Sequence, residues 1–350
     1  MTSKIILKNI DRELQVIGIY KVFMMMCVVF YHVGCLWQKE WSPVELNCTS
    51  MFAIISTFVT GWLNTFHIYA FVFASGYIFA YIRYEKGKYR SLNYDIKRRF
   101  QQLIIPYIVL TILWCAPIYT YEFGFDATLL FKKFILGVSP SQLWFLLMLF
   151  WIFLIFYFLS DSLLRVNRKL CMTILYITSV FASFLITWKG IFNCFQIANA
   201  IKYTLFFYLG MIWRIDKCCF RNKNTFLMLI IGNIVGYACT INLDIPMVSK
   251  KMLLILVNIS GVLGMLGLVN WMFKGIDENN RIFCVLKKYS MSIYLLHQQI
   301  LYALSHIIVN IQMMPILIWI CSFLLVIIFC ILIAKFLSEF SAGKILLGIK

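Results

Sequence analysis

Long apolar runs separated by short basic loops occupy the chain between residues 16 and 337. A helix crosses the hydrocarbon of a bilayer with about 20 apolar residues. On that measure the runs predict about ten transmembrane helices, at 16–37, 52–82, 100–119, 141–160, 171–188, 197–213, 224–242, 252–273, 290–310 and 314–337. The second run is too long for one straight crossing and is expected to tilt or to extend beyond the bilayer. Residues 127–138 are apolar but short, and Lys132-Lys133 interrupts them, so an interfacial or re-entrant piece is expected there. The first run outlasts the apolar core of a signal peptide and no small-residue cleavage site follows it, so it is read as a retained helix. The fold class is thus all-α, a polytopic membrane helix bundle. No polar stretch is long enough for a soluble domain, and residues 1–350 are read as a single integral-membrane domain.

Charge gives the bundle a direction. Lys and Arg crowd the loops 83–99, 161–170, 214–223 and 274–289 and both termini, whereas the alternate loops hold only Lys39, Lys132, Lys133, Lys189, Lys250 and Lys251. By the positive-inside rule both termini are expected to be cytoplasmic, which an even number of spans allows. Composition agrees with the class: 62% hydrophobic against 13% charged residues leaves too little charge to cover a water-facing surface. The net charge of +18 could suggest nucleic acid, but its cations sit in short clusters between spans, so the lipid bilayer is the expected partner and nucleic acid is not. The twelve cysteines show no zinc or redox spacing and are read as small packing residues, with no metal site expected. Cys218-Cys219 falls on the reducing side, where a disulfide is not expected. Asn47-Cys48-Thr49 fits a glycosylation acceptor, which matters only in a eukaryotic secretory pathway.

Ionisable residues inside spans are expensive and therefore suggestive. In the first span Lys21 and His32 interrupt an otherwise apolar sequence. Eleven helical residues turn about 1100°, some 20° past three full turns, so both side chains share one face about 16 Å apart along the axis. Lys21 could merely snorkel to the interface, and His32 could be an interfacial histidine held by hydrogen bonds. The chain has four histidines. His67 opens the run to Ser75-Gly76-Tyr77, and His297 closes Tyr289-Ser290-Met291-Ser292-Ile293-Tyr294-Leu295-Leu296. His306 has no motif around it and is read as structural.

These blocks, in this order, resemble the membrane-bound acyltransferase-3 family of carbohydrate O-acyltransferases. The blocks are Lys21 with Val28-Val29-Phe30-Tyr31-His32, Phe66-His67 leading to Phe71, Phe73 and Ser75-Gly76-Tyr77, and Lys97-Arg98-Arg99 running to Ile104-Ile105-Pro106-Tyr107. Leu143-Trp144-Phe145, Tyr208-Leu209-Gly210 and Ser290–His297 complete the set. Many members carry arginine where Lys21 stands; lysine keeps the charge and loses the planar two-pronged donor.

The resemblance implies transfer of an acyl group from acyl-coenzyme A, acetyl-CoA being commonest, to a hydroxyl of a cell-surface or lipid-linked saccharide at a bacterial cell membrane, with no bound cofactor. Such a reaction needs a base for the acceptor hydroxyl, and a neutral imidazole suits it, so His32 is the expected catalytic base, with Lys21 on the same face as the second expected catalytic residue. The donor's phosphates call for a basic site open to the cytoplasm, for which Lys21, Arg98 and Arg99 are the candidates. Arg98 and Arg99 could equally serve topology alone. Ser75, Tyr77, His67, Trp144 and His297 are the candidate substrate contacts, while Gly76 is expected to permit close helix packing. A cytoplasmic donor and an outer His32 leave two routes: direct transfer along a threaded donor arm, or an acyl-enzyme relay. A transporter or exporter of a saccharide intermediate stays open as an alternative, although no related halves are visible and prolines number only six, as does a scaffold without activity. Oligomeric state is not legible.

Overall fold

The computed structural model describes residues 2–348 except 39, 40, 45, 47, 89, 90, 189, 221 and 274–279, and side chains from 12 onward except those of 188, 190–192 and 345 as well. Asn47, Lys39 and Lys189 among the sequence expectations lie outside the described residues.

Helix α1 (Thr2–Gly34) runs without a break through the first predicted span. The long second run is divided at Thr65-Phe66 into α2 (Ser50–Asn64) and α3 (His67–Ala80). A third helical path consists of α4 (Leu92–Arg99), α5 (Ile105–Leu110) and α6 (Ala116–Phe123), joined by wide turns at Phe100–Ile104 and Thr111–Cys115. Two prolines account for those turns. Pro106 and Pro117 lack an N–H, and each ring crowds the carbonyl four residues back, at Gln102 and Leu113, inside the widened stretch. Short α7 (Ala127–Leu130) stands at the expected interfacial segment. Beyond it come α8 (Trp144–Arg165), α9 (Arg168–Trp188), α10 (Ile197–Ile215), α11 (Lys223–Asn242), α12 (Met247–Met272), α13 (Arg281–Ile308), α14 (Pro315–Leu337) and α15 (Ser341–Leu347).

Among the described residues there is no strand, and eight helical segments are long and apolar enough to cross a bilayer. The chain is a multi-pass membrane protein built as an all-α bundle. Two of the expected spans fall outside those eight, namely α10 and α13, of 19 and 28 residues. Their polar residues have a physical reason: both helices are largely buried among other helices, where Arg214, His297, Gln298 and Gln299 find partners instead of lipid.

The backbones of α3 and α10 approach each other closely. A β-carbon on Gly76 would lie 2.0 Å from the Phe207 carbonyl oxygen, and one on Gly210 would lie 1.9 Å from that of Phe73. The two glycines face each other's helix, as the small-residue packing expected of Gly76 requires.

At the end carrying the basic loops, Arg214 ties three elements together. Its Nε and Nη2 donate to the Glu85 carboxylate at 2.5 and 2.6 Å, and Nη1 donates to Glu13 and, at 2.9 Å, to the Tyr77 hydroxyl. The Tyr77 hydroxyl donates in turn to Glu13 at 3.0 Å. Tyr77→Phe removes both of these hydrogen bonds to charged partners and is therefore expected to lower the melting temperature in detergent, with a loss of about 1–3 kcal/mol. Its KM for substrates should stay at the wild-type value, and a large rise in KM would instead make Tyr77 a substrate contact.

Candidate active site

Three of the four histidines converge at the end of the bundle opposite the basic loops. His32 comes from the last turns of α1, His67 opens α3, and His297 sits midway along α13. The His32 and His297 rings are 4.7 Å apart, with His297 Nε2 3.1 Å from His32 Nδ1. The Tyr31 ring bridges the other pair, lying 4.8 Å from His32 and 5.0 Å from His67. His67 and His297 are buried, whereas His32 is half-buried.

Backbone carbonyls assign the ring protons, because a carbonyl oxygen only accepts. His297 Nδ1 lies 2.7 Å from the Tyr294 oxygen, so in the neutral ring Nδ1 carries the proton and Nε2 the lone pair. That lone pair faces His32 Nδ1, which also lies 2.9 Å from the Val28 oxygen. His32 Nδ1–H thus donates to both, and the lone pair of His32 is left on Nε2. The same reasoning puts the His67 proton on Nδ1, 2.6 Å from the Leu63 oxygen. His32 is therefore held in the one neutral tautomer whose Nε2 can accept a proton.

Aromatic rings lead from His32 toward the surface. Trp41 stands 5.6 Å from the His32 ring, Tyr302 5.3 Å from Trp41, Phe123 5.7 Å from Tyr302, and Tyr119 stacks on Phe123 at 4.8 Å. Below them a buried amide network braces α13. The Gln142 amide donates to the Leu295 carbonyl and to Gln299 Oε1, both at 2.6 Å, while the Tyr294 hydroxyl donates to the Gln142 carbonyl at 2.5 Å. Sequence reading passed over Trp41, Tyr302 and Gln142. Their only signal was an aromatic or amide next to a motif, which is too common to select them.

A second part of the site lies toward the basic loops. Lys21, Ser75, Arg99 and Gln102 line a cavity of about 310 Å³ with Ser290, Tyr294 and apolar side chains. Among the described residues no Asp or Glu lines it. The Arg99 guanidinium lies 3.7 Å above the Phe153 ring and donates to Gln102 at 3.2 Å. Lys21 meets α13 residues here just as His32 meets His297 farther along, so one face of α1 carries both, as the eleven-residue spacing predicts.

The other expected contacts are divided. Ser75 lines the cavity, but its hydroxyl donates to the Phe71 carbonyl at 2.8 Å. Arg98 is not among the lining residues, and Tyr77 belongs to the Arg214 knot. Trp144 is not among the lining residues and packs 6.0 Å from Tyr203. His306 pairs with Glu122 at 2.7 Å, joining α13 to α6. Among the described residues no three His, Cys, Asp or Glu side chains are placed to hold a metal ion.

Comparison with known proteins returns one finding. The profile of the acyltransferase-3 family, described as an acyltransferase domain, matches residues 17–335. No curated protein and no solved structure gives a significant match.

Proposed function

The chain belongs to the acyltransferase-3 family, and from that premise we propose that this membrane acyltransferase moves an acyl group, acetyl first, from acyl-coenzyme A to a hydroxyl of a cell-surface or lipid-linked saccharide. The observation that carries the reading is the His32–His297 contact at 3.1 Å, which leaves His32 Nε2 as the proton acceptor.

In the proposed reaction the acceptor oxygen bonds to the thioester carbonyl carbon as its proton passes to His32 Nε2. The resulting imidazolium keeps its Nδ1–H on Val28 and His297, where hydrogen bonds from a charged donor strengthen. The carbon–sulfur bond then breaks, and the imidazolium proton goes to the departing thiolate. His297 acts as a positioning residue: it accepts from Nδ1 and so keeps Nε2 aimed at the substrate.

Donor and acceptor reach this centre from opposite ends. The cavity around Lys21 and Arg99 is lined by two cations and adjoins the basic loops, which suits the donor's phosphates on the cytoplasmic side of a cell membrane. Lys21 lies about 16 Å down the helix from His32, so a donor anchored there must extend its arm along α1 to present the thioester. The saccharide approaches over Trp41, Tyr302 and Phe123, whose flat faces can stack on sugar rings. Direct transfer fits this convergence on one imidazole.

Purified protein in detergent, given acetyl-CoA and a saccharide extract, is expected to release free thiol and to acetylate the saccharide without a sealed membrane. Thiol release only with a longer acyl-CoA would replace acetyl as the group, and acylation of a non-saccharide alone would replace the acceptor. Lys21→Gln and Arg99→Gln are each expected to raise KM for the donor about tenfold with little change in kcat, the pattern of lost ground-state binding. A fall in kcat at constant KM would move either residue to the reacting atoms.

A further inference from the structure

A separate cavity of about 330 Å³ opens near the end of the bundle opposite the basic loops, among α2, α3, α9, α10, α11 and α12. Lys202 and Lys251 line it, both half-buried, together with Tyr69, Tyr237, Asn258 and Thr187. Lys251 Nζ donates to Thr187 Oγ1 at 2.9 Å, and Lys202 Nζ stands 5.5 Å from the Tyr69 ring centroid and 5.4 Å from that of Tyr203. Among the described residues no Asp or Glu lines the cavity, and neither lysine has a carboxylate within ion-pair distance. Orientation does not explain them, because these lysines stand on the side where cations are sparse.

This cavity is not the histidine centre. Tyr69 is two residues from His67, about 200° around α3, so the helix places His67 against Tyr31 and turns Tyr69 to the cavity. Two cations without counter-charges select an anion. Hydroxyl, amide and tyrosine groups around them supply the neutral hydrogen bonds and flat faces that a sugar ring uses.

We infer that the Lys202–Lys251 cavity binds the anionic group, carboxylate or phosphate, of a charged saccharide unit on the outer side of the membrane. This deepens the proposed function, resting on its saccharide acceptor, and assigns the acceptor to the acidic class. The acylated hydroxyl and the bound anion then belong to different units of one chain, because α3 separates the two places.

Binding to the full-length protein in detergent tests this without any acyl donor. The probes are trigalacturonate, glucose 1-phosphate and neutral maltotriose, with wild type, Lys202→Gln/Lys251→Gln, Lys202→Arg/Lys251→Arg and His32→Ala. Wild type is expected to bind a charged probe at least about tenfold more tightly than maltotriose, with the preference shrinking as salt rises. The glutamine pair should abolish the preference, while the arginine pair and His32→Ala should keep it. Equal binding of maltotriose, or a preference untouched by the glutamine pair, overturns the inference. Loss of co-purifying phosphatidylglycerol from the glutamine pair, with saccharide binding unchanged, also overturns it and gives the lysines to a lipid headgroup. Charged-probe binding without acylation of that probe would leave this site standing and count only against the saccharide acceptor.

Discussion

His32→Ala is expected to lower acyl transfer by about 10²–10⁴-fold, the usual contribution of a positioned general base. The imidazole has two hydrogen-bond partners on Nδ1, the Val28 carbonyl and His297, so its orientation comes from α1 and α13 together. Neither partner loses a proton donor that the fold needs, since Val28 retains its place in the α1 ladder. The variant should therefore accumulate, melt near wild type and bind donor with unchanged KM, while kcat collapses. His297→Leu should fall between the two enzymes, because Nε2 of His32 persists but its ring is no longer held. Rates are measured as thiol release and as acylated saccharide by mass spectrometry. Wild-type kcat in purified His32→Ala would remove this residue as the base, and equal loss in kcat and donor binding would make it a binding group.

Gly76→Val is expected to produce the largest change in stability. A β-carbon at Gly76 would sit 2.0 Å from the Phe207 carbonyl, an atom of the α10 backbone that no rotamer change can move. Overpacking a fitted interface costs about 1–3 kcal/mol and sometimes more, and a clash against backbone belongs at the upper end. The damage also reaches function, since α3 carries His67 at one end and the cavity residue Ser75 along its length. Gly232→Val supplies the control, because a β-carbon there meets nothing within 4 Å. Thermal unfolding in detergent should show a clear drop for Gly76→Val and little for Gly232→Val. Equal melting of the two would mean that α3 and α10 do not approach as closely as described.

Membrane class, helical content and the His32–Lys21 face are determined by the sequence alone. Each depends on one segment at a time: a window of about 20 apolar residues spans the bilayer whatever its neighbours do, and eleven residues of any α-helix return to nearly the same face. The interruption of the third path was also legible in principle, since Pro106 and Pro117 carry their effect in their own rings. The Thr65-Phe66 break inside the long second run had no comparable signal, as neither residue obliges a helix to stop.

Only the tertiary structure decided which residues meet. His297 reaches His32 across 265 positions of chain, Arg99 faces the Lys21 cavity while adjacent Arg98 does not, and Tyr77 turns to Arg214 although Ser75, two residues before it, lines the cavity. The physical reason lies in the solvent. In water, an amphipathic stripe marks the face of a helix that packs inward. In a bilayer both the lipid-facing and the buried sides are apolar, so composition says that a helix spans but not how it is rotated. Rotation is settled by contacts such as Gly76 on Phe207 and His32 on His297, and those exist only once the helices are side by side.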